Sequence, residues 1–190
     1  MHTFTTFILQ IQEVSMMHYL CKVATRDELI RRWEYLTGIN PGKKWIEFRE
    51  NALKHYDEKS TISYLGFLDD EIICEATAVI RDSAFIGDIH EPSGLLSDRM
   101  CYLAAFRTNQ EYEGKGYFRR LYDFVEQDLK ARGYTELSLG VGPEAVRNME
   151  IYFHLGFREY IKTVIQYEPS DNDPAIQEED VILFYKKKIG

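Results

Sequence analysis

The sequence predicts an α/β fold: a mixed, mostly antiparallel sheet with helices on both faces. Three observations carry that expectation. Apolar residues switch repeatedly between a two-residue and a helical period, giving the order β, α, α, β, β, β, α, β, α, β, β over residues 18–187. The middle of that order is strand–helix–strand, which favours a parallel pair joined by a right-handed crossover. The remaining strands read as an antiparallel meander.

The first strand is His18-Tyr19-Leu20-Cys21-Lys22-Val23. Thr25 and Glu28 then have the spacing of a capping box, and Leu29, Ile30, Trp33 and Leu36 recur at helical spacing until Gly38. Asn40-Pro41 has the chemistry of a helix start, followed by Trp45, Phe48, Ala52 and Tyr56 on one face. Thr61 to Leu68 and Glu71 to Ile80 read as a hairpin around Asp69-Asp70, and residues 81–98 as a long loop.

Met100 to Thr108 is the next strand. Gly116 to Arg132 is an amphipathic helix whose stripe is Phe118, Leu121, Tyr122, Val125 and Leu129, with Gly133 at C′. Thr135 to Val141 alternates as a strand, Pro143 to Leu155 is a helix ended by Gly156, and two strands follow, Phe157 to Tyr167 and Asp180 to Lys187. Residues 1–16 stand apart as an N-terminal extension, although Phe4, Phe7, Leu9 and Ile11 would let it dock as a strand; residues 17–190 form one domain.

Lys and Arg number 23 against 31 Asp and Glu, a net charge of −8, which argues against a nucleic-acid partner that needs clustered cations. No apolar run approaches a membrane span, and Phe7-Ile8-Leu9 lacks the basic flank and cleavage site of a signal peptide. Three cysteines, Cys21, Cys74 and Cys101, make no disulfide framework and suit a reducing cytoplasm; the last two should pack as small hydrophobes. His2, His18, His55, His90 and His154 have no metal-ligand spacing, so no metal is expected. Lys186-Lys187-Lys188 reads as a solvated basic end.

Two stretches carry chemistry. Glu113-Gly114-Lys115-Gly116-Tyr117-Phe118-Arg119 follows a strand and opens a helix, an arrangement that aims backbone N–H groups and the positive end of a helix dipole at one spot. Taken alone, such a turn is also a common strand-to-helix connector. Some thirty residues on, Asn148 and Tyr152 stand four apart on one helix face, followed by Gly156-Phe157.

In this order and spacing the two stretches resemble the GNAT superfamily of acetyl-coenzyme A-dependent N-acyltransferases. The resemblance is sharpest over residues 100–160 and strongest for Asn148, Ile151, Tyr152, Gly156 and Phe157. There are two departures: Glu113 stands where the family's phosphate loop has Arg or Gln, and Phe118 where it has a small residue. The resemblance implies that strand 100–108 splays from its parallel neighbour 135–141. The pantetheine arm of acetyl-CoA would lie in the gap near Phe106 and Thr108, and the pyrophosphate in loop 113–118, with Lys115, Arg119 and Arg120 offsetting Glu113. Asn148 would position the cofactor and Tyr152 would protonate the departing thiolate.

Glu75 is the candidate base, on a strand face with Ile73, Thr77 and Val79; an exposed strand carboxylate is the plainer reading. Glu144 reads as a charge in the cap region of its helix. The acceptor implied is a primary amine of a small molecule or peptide. Six carboxylates between Glu168 and Asp180, Asp171 and Asp173 among them, would attract a cationic one. A homodimer is admitted and a membrane is not expected. The alternative is a non-catalytic acyl-CoA-binding regulatory protein of the same fold, motivated by Glu113 and Phe118.

Overall fold

A computed structural model describes residues 18–85, 93–169 and 177–190. The N-terminal extension therefore lies outside the described residues. Seven strands form one sheet in the order β1-β2-β3-β4-β5-β7-β6. These are β1 (Tyr19–Val23), β2 (Thr61–Leu68), β3 (Glu71–Val79), β4 (Met100–Thr108), β5 (Glu136–Val141), β6 (Glu159–Pro169) and β7 (Gln177–Lys188). Every pairing is antiparallel except β4–β5, the strand pair bridged by a helix.

The helices are α1 (Arg26–Ile39), α2 (Lys43–Asp57), α3 (Tyr117–Ala131) and α4 (Val146–His154). Alternation along the strands assigns each helix a face, except that a bulge between Ile72 and Cys74 turns Ile73 away from the face that Glu75 shares with Thr77 and Val79. Leu65, Phe67 and Ile72 meet Leu29, Trp33 and Leu36 of α1 with Trp45, Phe48 and Ala52 of α2. Tyr64, Ile73, Ala78, Leu103 and Leu139 point the other way onto Leu121, Tyr122, Val125 and Leu129 of α3, with Ile151 and Tyr152 of α4 beside them.

The capping box at Thr25 and Glu28 forms as expected. The next boundary differs. α1 runs through Gly38 to Ile39, and Asn40 ends it, donating from its backbone N–H and from Nδ2 to the Leu36 carbonyl, both at 3.0 Å. Asn40 is thus occupied as a C-cap, and α2 starts later, after Gly42 at φ 146°. α4 likewise begins at Val146 rather than Pro143, because residues 142–145 form a turn in which Ala145 N–H donates to the Gly142 carbonyl. Glu144 lies in that turn, and α4 has no side-chain cap.

Of the basic end only Lys188 is exposed; Lys186 and Lys187 are partly buried and paired. Lys187 Nζ is held by Glu126, by Tyr122 Oη and by the Leu155 carbonyl at 2.6, 3.1 and 2.8 Å, while Lys186 pairs with Glu136 and Glu159. Alternation in β7 turns Lys187 inward over the rings of Tyr122 and Phe157, where its stem covers apolar surface. Cys74 and Cys101 are buried free thiols.

Candidate active site

β4 and β5 stay in register from Met100–Glu136 to Leu103–Leu139, and no pairing follows. At that point β4 carries a bulge. Ala105 has φ 54°, and the register against β3 shifts between Glu75 and Thr77. Before it, Cys101 and Leu103 face α3, and Tyr102 and Ala104 face away. The extra residue resets this alternation. Phe106 turns towards α3 and α4, and Arg107 towards α1 and α2.

Each side of β4 then borders a hollow. On the α3/α4 side lies a cleft of about 330 Å³ lined by Phe106, Arg107, Thr108, Tyr112, Glu113, Gly114, Gly116, Tyr117, Phe118, Arg119, Arg147, Asn148, Ile151 and Tyr152. Gly114 and Gly116 have φ of 72° and 82°, the left-handed region that favours glycine, and a Cβ at either would meet nothing within 4 Å. Gly116 is the N-cap of α3 and provides no side-chain cap. The first-turn N–H groups of α3 therefore lack side-chain acceptors at the positive end of the helix. Arg119 and Arg147 bring guanidinium donors to the cleft, and each is also paired with a carboxylate, Asp123 at 2.8 Å and Glu113 at 3.2 Å. These features fit an anionic, phosphate-bearing group such as the diphosphate of coenzyme A.

Both departures in the loop have partners. Glu113 is turned to Arg147 at 3.2 Å. Phe118 packs edge-on against Phe106 at 5.3 Å between ring centres, and lies 6.4 Å from Tyr122. Lys115 does not line the cleft; its ammonium lies over the Tyr112 ring at 5.5 Å. Arg120 also points elsewhere, to the Tyr19 carbonyl. Arg147, missed in the sequence, sits one residue before Asn148 at the start of α4, and that adjacency was the available signal.

Tyr152 is half-buried, its ring 5.9 Å from that of Phe106. Burial raises its phenol pKa above the ordinary 10.0, so the group stays protonated at neutral pH.

On the opposite side, between the sheet and the first two helices, is a chamber of about 220 Å³. Trp33, Phe48, Asn51, His55, Ser63, Tyr64, Glu75, Thr77, Ala104, Ala105 and Arg107 are among its walls. Arg107 borders both hollows. Glu75 is buried rather than exposed, and each oxygen accepts from a guanidinium: Oε2 from Arg32 Nε at 3.1 Å, Oε1 from Arg107 Nη1 at 2.6 Å. Arg32 is itself fully buried and donates through Nη1 to Asn109 Oδ1 and the Ile72 carbonyl.

Of the acidic segment 168–180, Asp171 and Asp173 lie outside the described residues. Asp180 accepts from Gln166 Nε2 at 3.1 Å and Glu179 from Tyr167 Oη at 3.4 Å. Among the described residues no helix is long and apolar enough to cross a membrane, and no three His, Cys, Asp or Glu side chains gather as metal ligands.

A family model, the acetyltransferase (GNAT) family, matches residues 22–157, more than half of the chain. No curated protein matches by sequence. Solved structures match in fold. An N-acetyltransferase from Staphylococcus aureus Mu50 superposes with a TM-score of 0.63 at 13% identity, over 91% of this chain and 99% of that one. The ribosomal-protein-S18-alanine N-acetyltransferase from Escherichia coli gives 0.62 at 15% identity, over 91% and 95%. The yncA protein of Salmonella typhimurium, solved with its cofactor acetyl-CoA, gives 0.61 at 10% identity, over 91% and 95%.

Proposed function

The chain belongs to the acetyltransferase (GNAT) family, and from that premise we propose that it acetylates a primary amine of a small molecule or peptide. Acetyl-CoA, the family's cosubstrate, supplies a thioester carbonyl carbon; the amine nitrogen bonds to it as the carbon–sulfur bond breaks, one proton leaving nitrogen and one reaching sulfur. One observation supports the reading above the others: the phosphate-type cleft and the chamber lie on opposite sides of β4 and share Arg107.

In this reading the backbone N–H groups at Gly114, Gly116 and the first turn of α3 bind the diphosphate, and Arg119 and Arg147 contribute the guanidinium donors that Asp123 and Glu113 leave open. Thr108 and Phe106 border the pantetheine path, and Asn148 orients the cofactor from α4. Tyr152 holds a proton at Oη for the sulfur that must leave. Burial keeps that proton in place, as a general acid requires. Glu75 takes the amine proton: a carboxylate has about four lone-pair positions, and the two guanidinium bonds leave it room to accept another.

A non-catalytic acyl-CoA-binding protein is the alternative. Its two motives weaken, because Glu113 has a guanidinium partner and Phe118 sits among aromatic rings. Thiol release from acetyl-CoA with a panel of amines tests the proposal. Release above the amine-free rate is expected; a cofactor-induced rise in melting temperature with no release from any amine would select the alternative.

A further inference from the structure

Resting on the acetyl-transfer reading, we propose that the acceptor amine also carries a carboxylate, and that Arg107 reads it. The class of substrate is a small amino acid or the terminus of a short peptide. The argument begins with charge. Arg32, Glu75 and Arg107 form one connected group with two positive charges and one negative. Glu75 and Arg107 stand in the chamber wall with Arg32 buried behind them, so an excess cation is held at the chamber of a protein whose net charge is −8. A ligand carrying only positive charge would add to that excess, whereas a carboxylate neutralises it.

The donors follow the same division. Arg32 is enclosed, with Nε serving Glu75 and Nη1 serving Asn109 and the Ile72 carbonyl. Arg107 commits only Nη1 among the described residues. Its guanidinium lies 5.6 Å from the Trp33 ring and 5.5 Å from the Trp45 ring, so two indoles and the Glu75 bond hold its plane. Nε and Nη2 remain as a parallel pair of donors, the geometry that binds a carboxylate through both oxygens. The side chain keeps 31% of its surface open, so a ligand can reach it.

Size and chemistry agree with a small acceptor. The chamber, at about 220 Å³, is below the roughly 300–1,000 Å³ usual for drug-sized ligands. Glu75 and Arg107 are adjacent, a proton acceptor beside a carboxylate clamp, which matches an amine a few bonds from an acid group.

The experiment measures thiol release with the twenty common amino acids, their carboxamides, a simple alkylamine and spermidine. The best acid should exceed its own amide at least tenfold in kcat/KM, through KM. Arg107→Gln should abolish that ratio, raising KM for the acid far more than KM for acetyl-CoA. Amides, alkylamine or spermidine serving as well as any acid would overturn the inference while acetyl transfer stands. So would an Arg107→Gln enzyme with a raised KM for acetyl-CoA and an intact acid-to-amide ratio. Should that variant not fold, the wild-type ratio decides alone. If no amine releases thiol, the transferase reading falls. Thermal protection in the presence of coenzyme A then decides the carboxylate inference, which requires protection by acids and not by their amides.

Discussion

Glu75 and Arg107 face each other in the β3–β4 register and are joined at 2.6 Å, on the side of the sheet that α1 and α2 cover. Cross-strand neighbours on one face are the contact unit of a sheet, but here the unit is charged and anchored from below by Arg32. Removing the shared carboxylate strands two guanidiniums, one of them fully buried. Breaking a buried ion pair from one side costs about 3–5 kcal/mol. Glu75→Gln should therefore lower stability by several kcal/mol in urea unfolding, and acetyl transfer with it. A change below about 1 kcal/mol would mean that the network adds nothing to the fold.

Ala105 decides where its neighbours point. At φ 54° an L-residue pays a penalty of about 1–2 kcal/mol that glycine avoids. Ala105→Gly should therefore keep both stability and activity, since relief of strain offsets the added freedom of the unfolded chain. Ala105→Val puts a β-branched side chain at that angle and should cost about 1–3 kcal/mol. If the strand escapes by losing the bulge, Arg107 and Phe106 exchange faces, and activity should fall further than stability. Equal behaviour of the two variants would show that the bulge does not depend on this residue.

The loop that opens α3 gives a binding prediction. A ligand specific for the folded state adds about 2.7 kcal/mol at a hundredfold excess over its Kd, so acetyl-CoA should raise the melting temperature. Gly116→Asp should remove most of that rise, because it sets a carboxylate at an open position beside the first-turn N–H groups. Gly116→Asn is the control: it tolerates the same φ without the charge and should keep more of the rise. No rise with millimolar acetyl-CoA would dismiss this loop as the diphosphate site.

Element order and helix faces were legible because they are written as periods. What escaped is written in single residues. Arg32 occupies a core position in the Leu29, Trp33, Leu36 stripe, where a charged side chain reads as a break in the pattern rather than as the centre of a network. The bulge lies in Ala104-Ala105, a pair with no turn chemistry, and is set by pairing with β3 that no local window contains. Asn40 carries the chemistry of both a helix end and a helix start; tertiary packing chose the end. Glu75 was found as a residue, but its two arginines were not, since the three lie far apart in sequence. The cleft was easier. Gly114, Gly116, Asn148 and Tyr152 recur at local spacings, and the structure gathers them with Phe106, Thr108, Glu113, Tyr117, Phe118 and Arg119 around one hollow.

Buried thiols predict the alkaline limit of stability. Cys101 is fully buried, and desolvation pushes its thiol from 9.0 up to about 12. The folded state holds the proton that the unfolded chain releases. The contribution of Cys101 is therefore complete below pH 9.0 and is lost as pH rises towards about 12. Within that window the loss is at most about 1.4 kcal/mol per pH unit. Cys101→Ala should unfold more easily at neutral pH and lose stability less steeply over the same alkaline range. Parallel slopes in urea unfolding would rule out this thiol as a source of the pH dependence.

Tyr152 is the sharpest test of the chemistry, because one oxygen separates its proposed role from its packing. The ring contacts Phe106 and joins the apolar cluster under α3, so it would be retained in the fold whether or not its hydroxyl did anything. Tyr152→Phe keeps the ring and deletes the proton. Stability should be nearly unchanged, and kcat should fall about 10²–10⁴-fold, the span typical of general acid catalysis. KM for acetyl-CoA should move little, since the proton is needed only as sulfur departs. Burial raises the phenol pKa above 10.0, so wild-type kcat should show no loss from this group up to that pH. The variant's deficit should shrink for a thioester whose thiol is more acidic, because such a sulfur leaves without help. A variant with full kcat when chemistry limits the rate would return Tyr152 to the packing role alone, and a large stability loss with unchanged kcat would do so more directly.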